Sequence, residues 1–358
     1  MTQRTALIMA GGTGGHIFPG LAVAQALRDK GWRVHWLGAP NSMESRLVPA
    51  KGFPLELVEF SGVRGKGLKT LFMLPLRLLR AFWQAWQVMG RVRPDVVVGL
   101  GGYITFPGGM MAVFRGKPLV LHEQNSVAGL VNKLLAQIAE RVYCAFPGAL
   151  AHSEWVGNPL RTEFLNVPAP ETRFAGRSGP LKVLVVGGSL GAKALNTVVP
   201  QALALIPEGE RPLVIHQAGE KQIDELRTNY ATAGVQATLT PFIDNTAEAF
   251  ADADLVICRA GASTVTELAA VGAASVLVPF PHAVDDHQTT NARFLADAGA
   301  GVLLPQIELT PEKLAQMLQK TERSALLQQG LAAKKLQKLS ATDSMVAACD
   351  ALAKGNAA

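Results

Sequence analysis

The stretch from Thr5 to Gly20, TALIMAGGTGGHIFPG, constrains this chain more than any other. An apolar run, Ala6-Leu7-Ile8-Met9-Ala10, breaks into glycines and then opens a helix. A run apolar at every position suits a strand buried on both faces of a sheet. Glycines after it let backbone amides approach an anionic or sugar ligand closely. The same order of parts returns later: an apolar run over 181–186, the glycine-rich Gly187-Gly188-Ser189-Leu190-Gly191-Ala192, then a helical pattern. Two strand–loop–helix openings predict two parallel α/β domains. His16 lies inside the first loop, so that loop is a candidate for chemistry as well as binding.

A dinucleotide site needs G-x-G-x-x-G and an acidic residue about twenty positions on. Gly12 and Gly14 supply the first two glycines, but Ile17 occupies the third position. The next strand-like run, 33–37, ends in Gly38 without an Asp or Glu. No Gly-Lys-Ser/Thr follows either, so the loop is not a P-loop. Nicotinamide, flavin and P-loop chemistry are disfavoured, and no cofactor is expected.

The chain has 358 residues, 49% of them hydrophobic, enough for two ordinary cores. No apolar run reaches the roughly 18 residues of a spanning helix, and no signal peptide is expected ahead of the first strand. Cys144, Cys258 and Cys349 are scattered, which fits a reducing compartment and no zinc cage. The net charge of +6 makes an anionic partner worth seeking.

Strands are expected over 5–9, 33–37, 55–58, 96–100, 119–121 and 141–144, then over 181–186, 213–216, 237–239, 255–258 and 275–278. The Pro- and Gly-rich segment 168–180 reads as a linker. The expected domains are 1–160 and 161–340. A last helix over about 341–358 is expected, with packing back on the first domain as one option. Two such domains facing each other would leave a cleft lined by the carboxyl ends of both sheets, where ligands of open α/β folds bind.

Several clusters follow strands. Gly101-Gly102-Tyr103-Ile104-Thr105-Phe106-Pro107-Gly108-Gly109 carries two Gly-Gly pairs around Tyr103, more than a simple turn needs, and reads as ligand-facing. His122-Glu123-Gln124-Asn125 offers four polar side chains at a strand end but lacks the second histidine of a metal motif. Arg259 to Glu267, RAGASTVTE, reads as a helix opening that attracts phosphate. There Glu267 either grips ribose hydroxyls or serves a capping box with Ser263 or Thr264. His282-Ala283-Val284-Asp285-Asp286-His287-Gln288 suits either a metal or a sugar faced by Gln288 and Asn291, one helical turn apart. Asp252-Ala253-Asp254 precedes its strand, the wrong side for a metal-binding D-x-D. From Ser61 to Pro94 seven Lys and Arg residues occur without an Asp or Glu, interleaved with Leu, Phe and Trp. That segment reads as a crossover helix with one packed face, along Leu71, Leu74, Leu78 and Phe82, and a basic, aromatic end on an anionic membrane surface. No nucleic-acid motif accompanies the charge, so nucleic acid is not expected.

Taken in order, GGTGGHIFPG, GGYITFPGG, HEQN, GNPLR, GGSLGA, RAGASTVTE and the Asp-His-Gln…Asn-Ala loop closely resemble the MurG-type transferase family of peptidoglycan assembly. The resemblance runs from Thr5 to about Ala300 and departs from the family pattern around Ile104-Thr105-Phe106 and Pro281-His282-Ala283-Val284. It implies a GT-B fold of two Rossmann-like, doubly wound domains. It also implies a metal-free inverting transfer of N-acetylglucosamine from UDP-N-acetylglucosamine to lipid I, forming lipid II. The family sits peripherally on the cytoplasmic face of the bacterial inner membrane, attached through its first domain, and works beside the machinery of cell-wall synthesis.

Carried over by motif, Thr13, Gly14, Gly15, Tyr103, Asn125, Arg161, Ser189, Ile243, Ala262, Ser263, Thr264, Val265, Thr266, Glu267, Gln288 and Asn291 are expected at donor or acceptor. Glu267 would hold the ribose, Ser189 and the helix ends the diphosphate, and Gln288 with Asn291 the sugar. His16 is the candidate base and Glu123 the runner-up. The alternatives are another GT-B glycolipid transferase, a UDP-N-acetylglucosamine 2-epimerase, or a non-catalytic nucleotide-sugar sensor.

Overall fold

A computed structural model describes residues 3–60, 62, 72–188 and 191–355. The chain divides into two compact units: Met1–Arg161 with Leu339–Ala358, and Thr162–Lys338.

The first unit contains β1 (Thr5–Met9), α1 (Gly14–Asp29), β2 (Arg33–Gly38), α2 (Met43–Ala50), β3 (Leu55–Leu57), α3 (Leu74–Val92), β4 (Val96–Gly99), α4 (Thr105–Phe114), β5 (Leu119–Glu123), α5 (Leu130–Leu135), β6 (Arg141–Cys144) and β7 (Glu154–Trp155). All seven strands run parallel in the order β3-β2-β1-β4-β5-β6-β7. Side chains alternate across the sheet. Ala6 and Ile8 join the core beneath α1, while Leu7 and Met9 join the core beneath α3 and α4. This two-sided burial is why β1 is apolar throughout.

The second unit contains α6 (Pro170–Phe174), β8 (Lys182–Val186), α7 (Lys193–Ala204), β9 (Leu213–Gln217), α8 (Ile223–Ala233), β10 (Thr238–Thr240), α9 (Thr246–Asp252), β11 (Leu255–Cys258), α10 (Ala262–Val271), β12 (Ser275–Leu277), α11 (His287–Ala296), β13 (Val302–Leu303), α12 (Pro311–Lys320) and α13 (Arg323–Lys335). Its sheet is parallel in the order β10-β9-β8-β11-β12-β13. The last helix, α14 (Ala341–Gly355), returns to the first unit and packs on α1. There Asp350 accepts from Arg4 at 3.1 Å and from the Trp32 indole at 3.2 Å.

In each sheet the strand order reverses beside the first strand, between β1 and β4 and between β8 and β11. Loops at the carboxyl ends of such a pair diverge and leave a crevice. The glycine loops after β1 and β8 sit at these two switch points.

The segment 168–180 is not a linker. Pro170 and Phe174 are buried, and Arg173 donates to the carbonyls of Ala251, Val271 and Gly272. Arg177 and Arg323 close on the buried Asp254 carboxylate at 2.7 and 3.0 Å, and Lys182 N–H donates to it. Burial pushes that carboxyl up, but these donors outweigh it and hold it below its ordinary range. Asp252 pairs with Lys182 at 2.7 Å. Of the D-x-D string, Asp254 therefore serves packing and Asp252 a surface ion pair.

Candidate functional site

In the first unit the loop after β1 leads straight into α1. Thr13 is the N-cap, and its hydroxyl lies 3.3 Å from His16 Nδ1. His16 is half-buried one turn into the helix. The loop after β4 presses against it. Gly101 and Gly102 both have positive φ, +98° and +87°. A Cβ on Gly101 would fall 2.9 Å from His16 Cδ2, and one on Gly102 would fall 2.3 Å from the Gly11 carbonyl oxygen. The Gly101–Gly102 pair is thus the floor on which the histidine and the first loop rest. Tyr103, beside it, is exposed. Thr105 is buried and donates to the carbonyls of Gly101 and Met9 at 2.8 and 3.3 Å, so it shapes the floor.

The HEQN run begins inside β5 rather than after it. His122 is wholly buried. Its Nε2 lies 2.8 Å from Gly157 O and its Nδ1 3.0 Å from the Gln124 amide nitrogen. Burial drives its pKa down to about 4, although the bond to Gly157 opposes the shift. Glu123, the expected runner-up base, is 2% exposed and accepts four N–H groups. These are Asn125 N at 2.8 Å, Asn125 Nδ2 at 3.4 Å, Gly129 N at 3.2 Å and Asn132 Nδ2 at 2.8 Å. A carboxylate so engaged shapes the turn after β5 and is poorly placed to take a substrate proton. Asn125 is half-buried against it, and Arg161 is half-buried at the end of the unit.

In the second unit the corresponding loop is flanked by Gly188 and Gly191; Ser189 and Leu190 lie outside the described residues. Gln217, at the end of β9, braces this loop. Its Oε1 accepts Gly188 N–H at 3.2 Å, and its Nε2 donates to Gly188 O at 3.2 Å and Pro241 O at 3.0 Å. One neutral amide so ties the glycine loop to the loop carrying half-buried Ile243. A Cβ on Gly191 would meet Ala218 O at 2.1 Å. Beneath lies His216, wholly buried between Tyr230 and Asn196 at 3.1 Å each, and burial lowers its pKa to about 3.

Across the switch point, α10 opens at Gly261, which offers no side-chain cap. The capping box considered for Ser263, Thr264 and Glu267 does not form. Among the described residues no side chain caps the start of this helix, the arrangement that attracts an anion. The Ser263 hydroxyl is buried with no hydrogen-bond partner among the described residues. Ser263, Thr264 and Glu267 are partly exposed. Ala262 and Val265 are buried, and Thr266 turns its hydroxyl back onto the carbonyls of Ala262 and Ser263. Glu267 lies near Cys258, whose thiol is pushed up to about 12 by burial and then by that carboxylate.

Gln288 and Asn291 do not share one role. Gln288 is half-buried and its Oε1 accepts Phe280 N–H at 2.9 Å. Asn291, expected on the sugar, is fully buried and donates to Ala260 O at 3.2 Å. Helical spacing aligns the two residues, but Asn291 lies deeper, pinning α11 beneath the end of β11. Among the described residues no three His, Cys, Asp or Glu side chains are grouped to hold a metal ion.

Residues 6–144 match the N-terminal domain of glycosyltransferase family 28, and residues 182–345 match its C-terminal domain. The chain belongs to glycosyltransferase family 28. A family relative from Paracidovorax citrulli (strain AAC00-1), a UDP-N-acetylglucosamine–N-acetylmuramyl-(pentapeptide) pyrophosphoryl-undecaprenol N-acetylglucosamine transferase, is 72% identical over 98% of each chain. A relative of the same name from Cupriavidus metallidurans is 63% identical over 99% of each chain. The crystal structure of MurG from Acinetobacter baumannii superposes with a TM-score of 0.85 at 40% identity, covering 97% of this chain and 99% of that one. The kitacinnamycin glycotransferase, at 15% identity and a TM-score of 0.70, shares the fold alone. The two parallel sheets are those of the GT-B glycosyltransferases, as the motifs implied.

One surface of this family 28 chain carries more than its sequence disclosed. Along α3, Ala81, Ala85, Val88, Met89 and Val92 are buried, while Leu76, Leu79 and Trp83, interspersed with Arg77 and Arg80, are each more than 60% exposed. The packed stripe therefore lies further along the helix than Leu74, Leu78 and Phe82, which are only half-buried; Leu71 lies outside the described residues. α4 packs on α3, and α5 on α4. They add exposed Phe114, Leu130 and Leu134 with Arg115 and Lys133. The Arg115 guanidinium stacks 3.6 Å over the Trp86 ring. No helix among the described residues is long and apolar enough to cross a membrane.

Proposed function

We propose that the protein transfers N-acetylglucosamine from UDP-N-acetylglucosamine to the muramyl 4-hydroxyl of lipid I, giving lipid II. The observation that carries this is identity of 63–72% over nearly the whole chain to relatives named for that reaction. The acceptor oxygen forms a bond to the anomeric carbon as the bond from that carbon to UDP breaks, with inversion. His16 takes the hydroxyl proton. An imidazole ordinarily titrates near 6.5, and such a base contributes about 10² to 10⁴-fold. The departing diphosphate is stabilised by the amides after β8 and by the uncapped start of α10, with the Ser263 hydroxyl as a further donor. Glu267 takes the ribose, and Gln288 offers its amide nitrogen to a sugar oxygen.

The exposed leucines and tryptophan of α3, with Arg77 and with Lys133 on α5, support docking on an anionic leaflet, at the cytoplasmic face where the lipid acceptor is embedded; Arg80 is paired with Glu59 at 2.7 Å. Each cation there contributes about 1 kcal/mol. Vesicle flotation tests this: binding should rise with anionic lipid, fall with salt, and fall again in the Trp83→Ala protein.

The decisive measurement is transfer of labelled N-acetylglucosamine to lipid I, with stoichiometric UDP release, in EDTA. Tight UDP binding without transfer would point to a nucleotide-sugar sensor instead. Activity lost in EDTA and restored by a divalent cation would overturn the metal-free mechanism.

A further inference from the structure

Glu44 takes no part in the chemistry above, yet it is a carboxylate 1% exposed on α2. Its Oε2 accepts Gly12 N–H at 3.2 Å, and its Oε1 accepts Ala39 N–H at 3.1 Å. It thereby joins the loops that follow β1 and β2. A reciprocal cap between Ser42 and Ser45 anchors the helix that carries it. The backbone makes room for it: a Cβ on Gly11 would lie 2.7 Å from Oε1, and one on Gly38 would lie 2.8 Å from Cγ. From its other side the loop is held by Gly11 N–H on the Gly101 carbonyl at 3.3 Å. The Gly11–Gly12 turn is thus clamped between Glu44 and the Gly101–Gly102 floor. Thr13 follows directly, with its hydroxyl on His16. Charge-assisted bonds to backbone N–H are stronger than neutral ones, and an ionised carboxylate offers an acceptor to each loop. A glutamine at 44 has one acceptor oxygen, and its NH₂ would confront an N–H.

We propose that Glu44 is a positioning residue: by fixing the Gly11–Gly12 turn it sets Thr13 and His16 for proton abstraction. This rests on His16 being the base.

The test compares Glu44→Gln, His16→Ala and the double variant in the full-length protein. Measured are kcat, KM for both substrates, the Kd for UDP, and Tm. Misplacing a reacting group by a fraction of a bond length costs roughly 10- to 100-fold, so E44Q should lose about that much in kcat. UDP affinity should hold, and the double variant should be about as slow as H16A alone, because both changes remove one function. A folded E44Q protein with near-normal kcat overturns the proposal. So does a full E44Q penalty persisting on the H16A background, which marks a general structural role. If E44Q does not fold, Glu44→Asp keeps the charge but shortens the reach; the same kcat loss and coupling are expected, and their absence likewise overturns it. An H16A enzyme with normal turnover defeats the base assignment, whatever E44Q does.

Discussion

The two glycine loops occupy the same place in their sheets but are braced by opposite means. The loop after β1 is held by a buried carboxylate, Glu44, and by the Gly101–Gly102 backbone. The loop after β8 is held by the neutral amide of Gln217, which contacts both the N–H and the C=O of Gly188. The difference follows from the proposed tasks. A loop that meets a nucleotide diphosphate gains nothing from a fixed negative charge beneath it, since like charges in a partly dry site repel strongly. A loop that holds a base has no such restriction, and a carboxylate grips its amides more firmly. Beneath the second loop, and beside the HEQN turn of the first unit, lies a buried neutral histidine.

The comparison breaks most sharply at His16. Replacing it with Ala should lower kcat about 10² to 10⁴-fold while the UDP Kd, read by calorimetry, stays put. A parallel loss of UDP binding would mean the two loops do not divide the work.

Next come the buried imidazoles. His122 and His216 are neutral in the folded protein, with pKa values of about 4 and about 3, and protonate in the unfolded chain near 6.5. The stability they permit is complete above about pH 6.5 and is lost as pH falls through that value toward the folded ones, on the order of 3 to 5 kcal/mol each at the limit. Denaturant melts between pH 7 and 4.5 should show the decline, and His216→Asn and His122→Asn should each flatten it. An unchanged slope in either would show that the imidazole is not the titrating group.

Backbone room gives a smaller contrast. Gly102→Ala and Gly191→Ala each force a side chain onto a carbonyl at positive φ and should cost about 1–3 kcal/mol in stability. Gly102→Ala should impair turnover and acceptor KM, and Gly191→Ala the affinity for UDP. Exchange of those two effects would reverse the assignment of the loops.

The smallest effect is expected at Gln217. Gln217→Ala removes neutral hydrogen bonds of about 1 kcal/mol and should weaken UDP by less than about tenfold. Gln217→Glu should weaken it further, because a carboxylate would face the carbonyls of Gly188 and Pro241. Equal losses in the two variants would remove charge from the explanation.

Much of the fold was legible because the strands of a covered parallel sheet read as short, largely apolar runs. The runs at 5–9, 141–144 and 255–258 coincide with β1, β6 and β11. β7 and β13 escaped notice because two-residue edge strands carry no periodic signal. The segment 168–180 looked like a linker because Pro and Gly mark turns, but Arg173 and Phe174 dock it by contacts roughly eighty to a hundred residues away. Of the candidate site, the loops and His16 were readable from glycine spacing. Glu44 was not: a lone glutamate in a helix has no motif, and its partner Gly12 lies 32 positions back. Helical spacing likewise could not separate Gln288 from Asn291, because it sets direction on a helix and not depth in the protein.

By itself, then, the sequence determined the parallel α/β class, the two loop–helix openings, the family, and the residue types available for chemistry. Those follow from local rules: side-chain period, backbone freedom at glycine, and the charge each residue brings. Only the tertiary structure decided which polar side chains are taken up by the protein's own backbone and side chains. Glu123, Asn291 and Thr105 look like site residues in the sequence, yet burial obliges each to satisfy a nearby backbone or side-chain group. That obligation is set by neighbours distant in the chain, and folding alone brings them within hydrogen-bond reach.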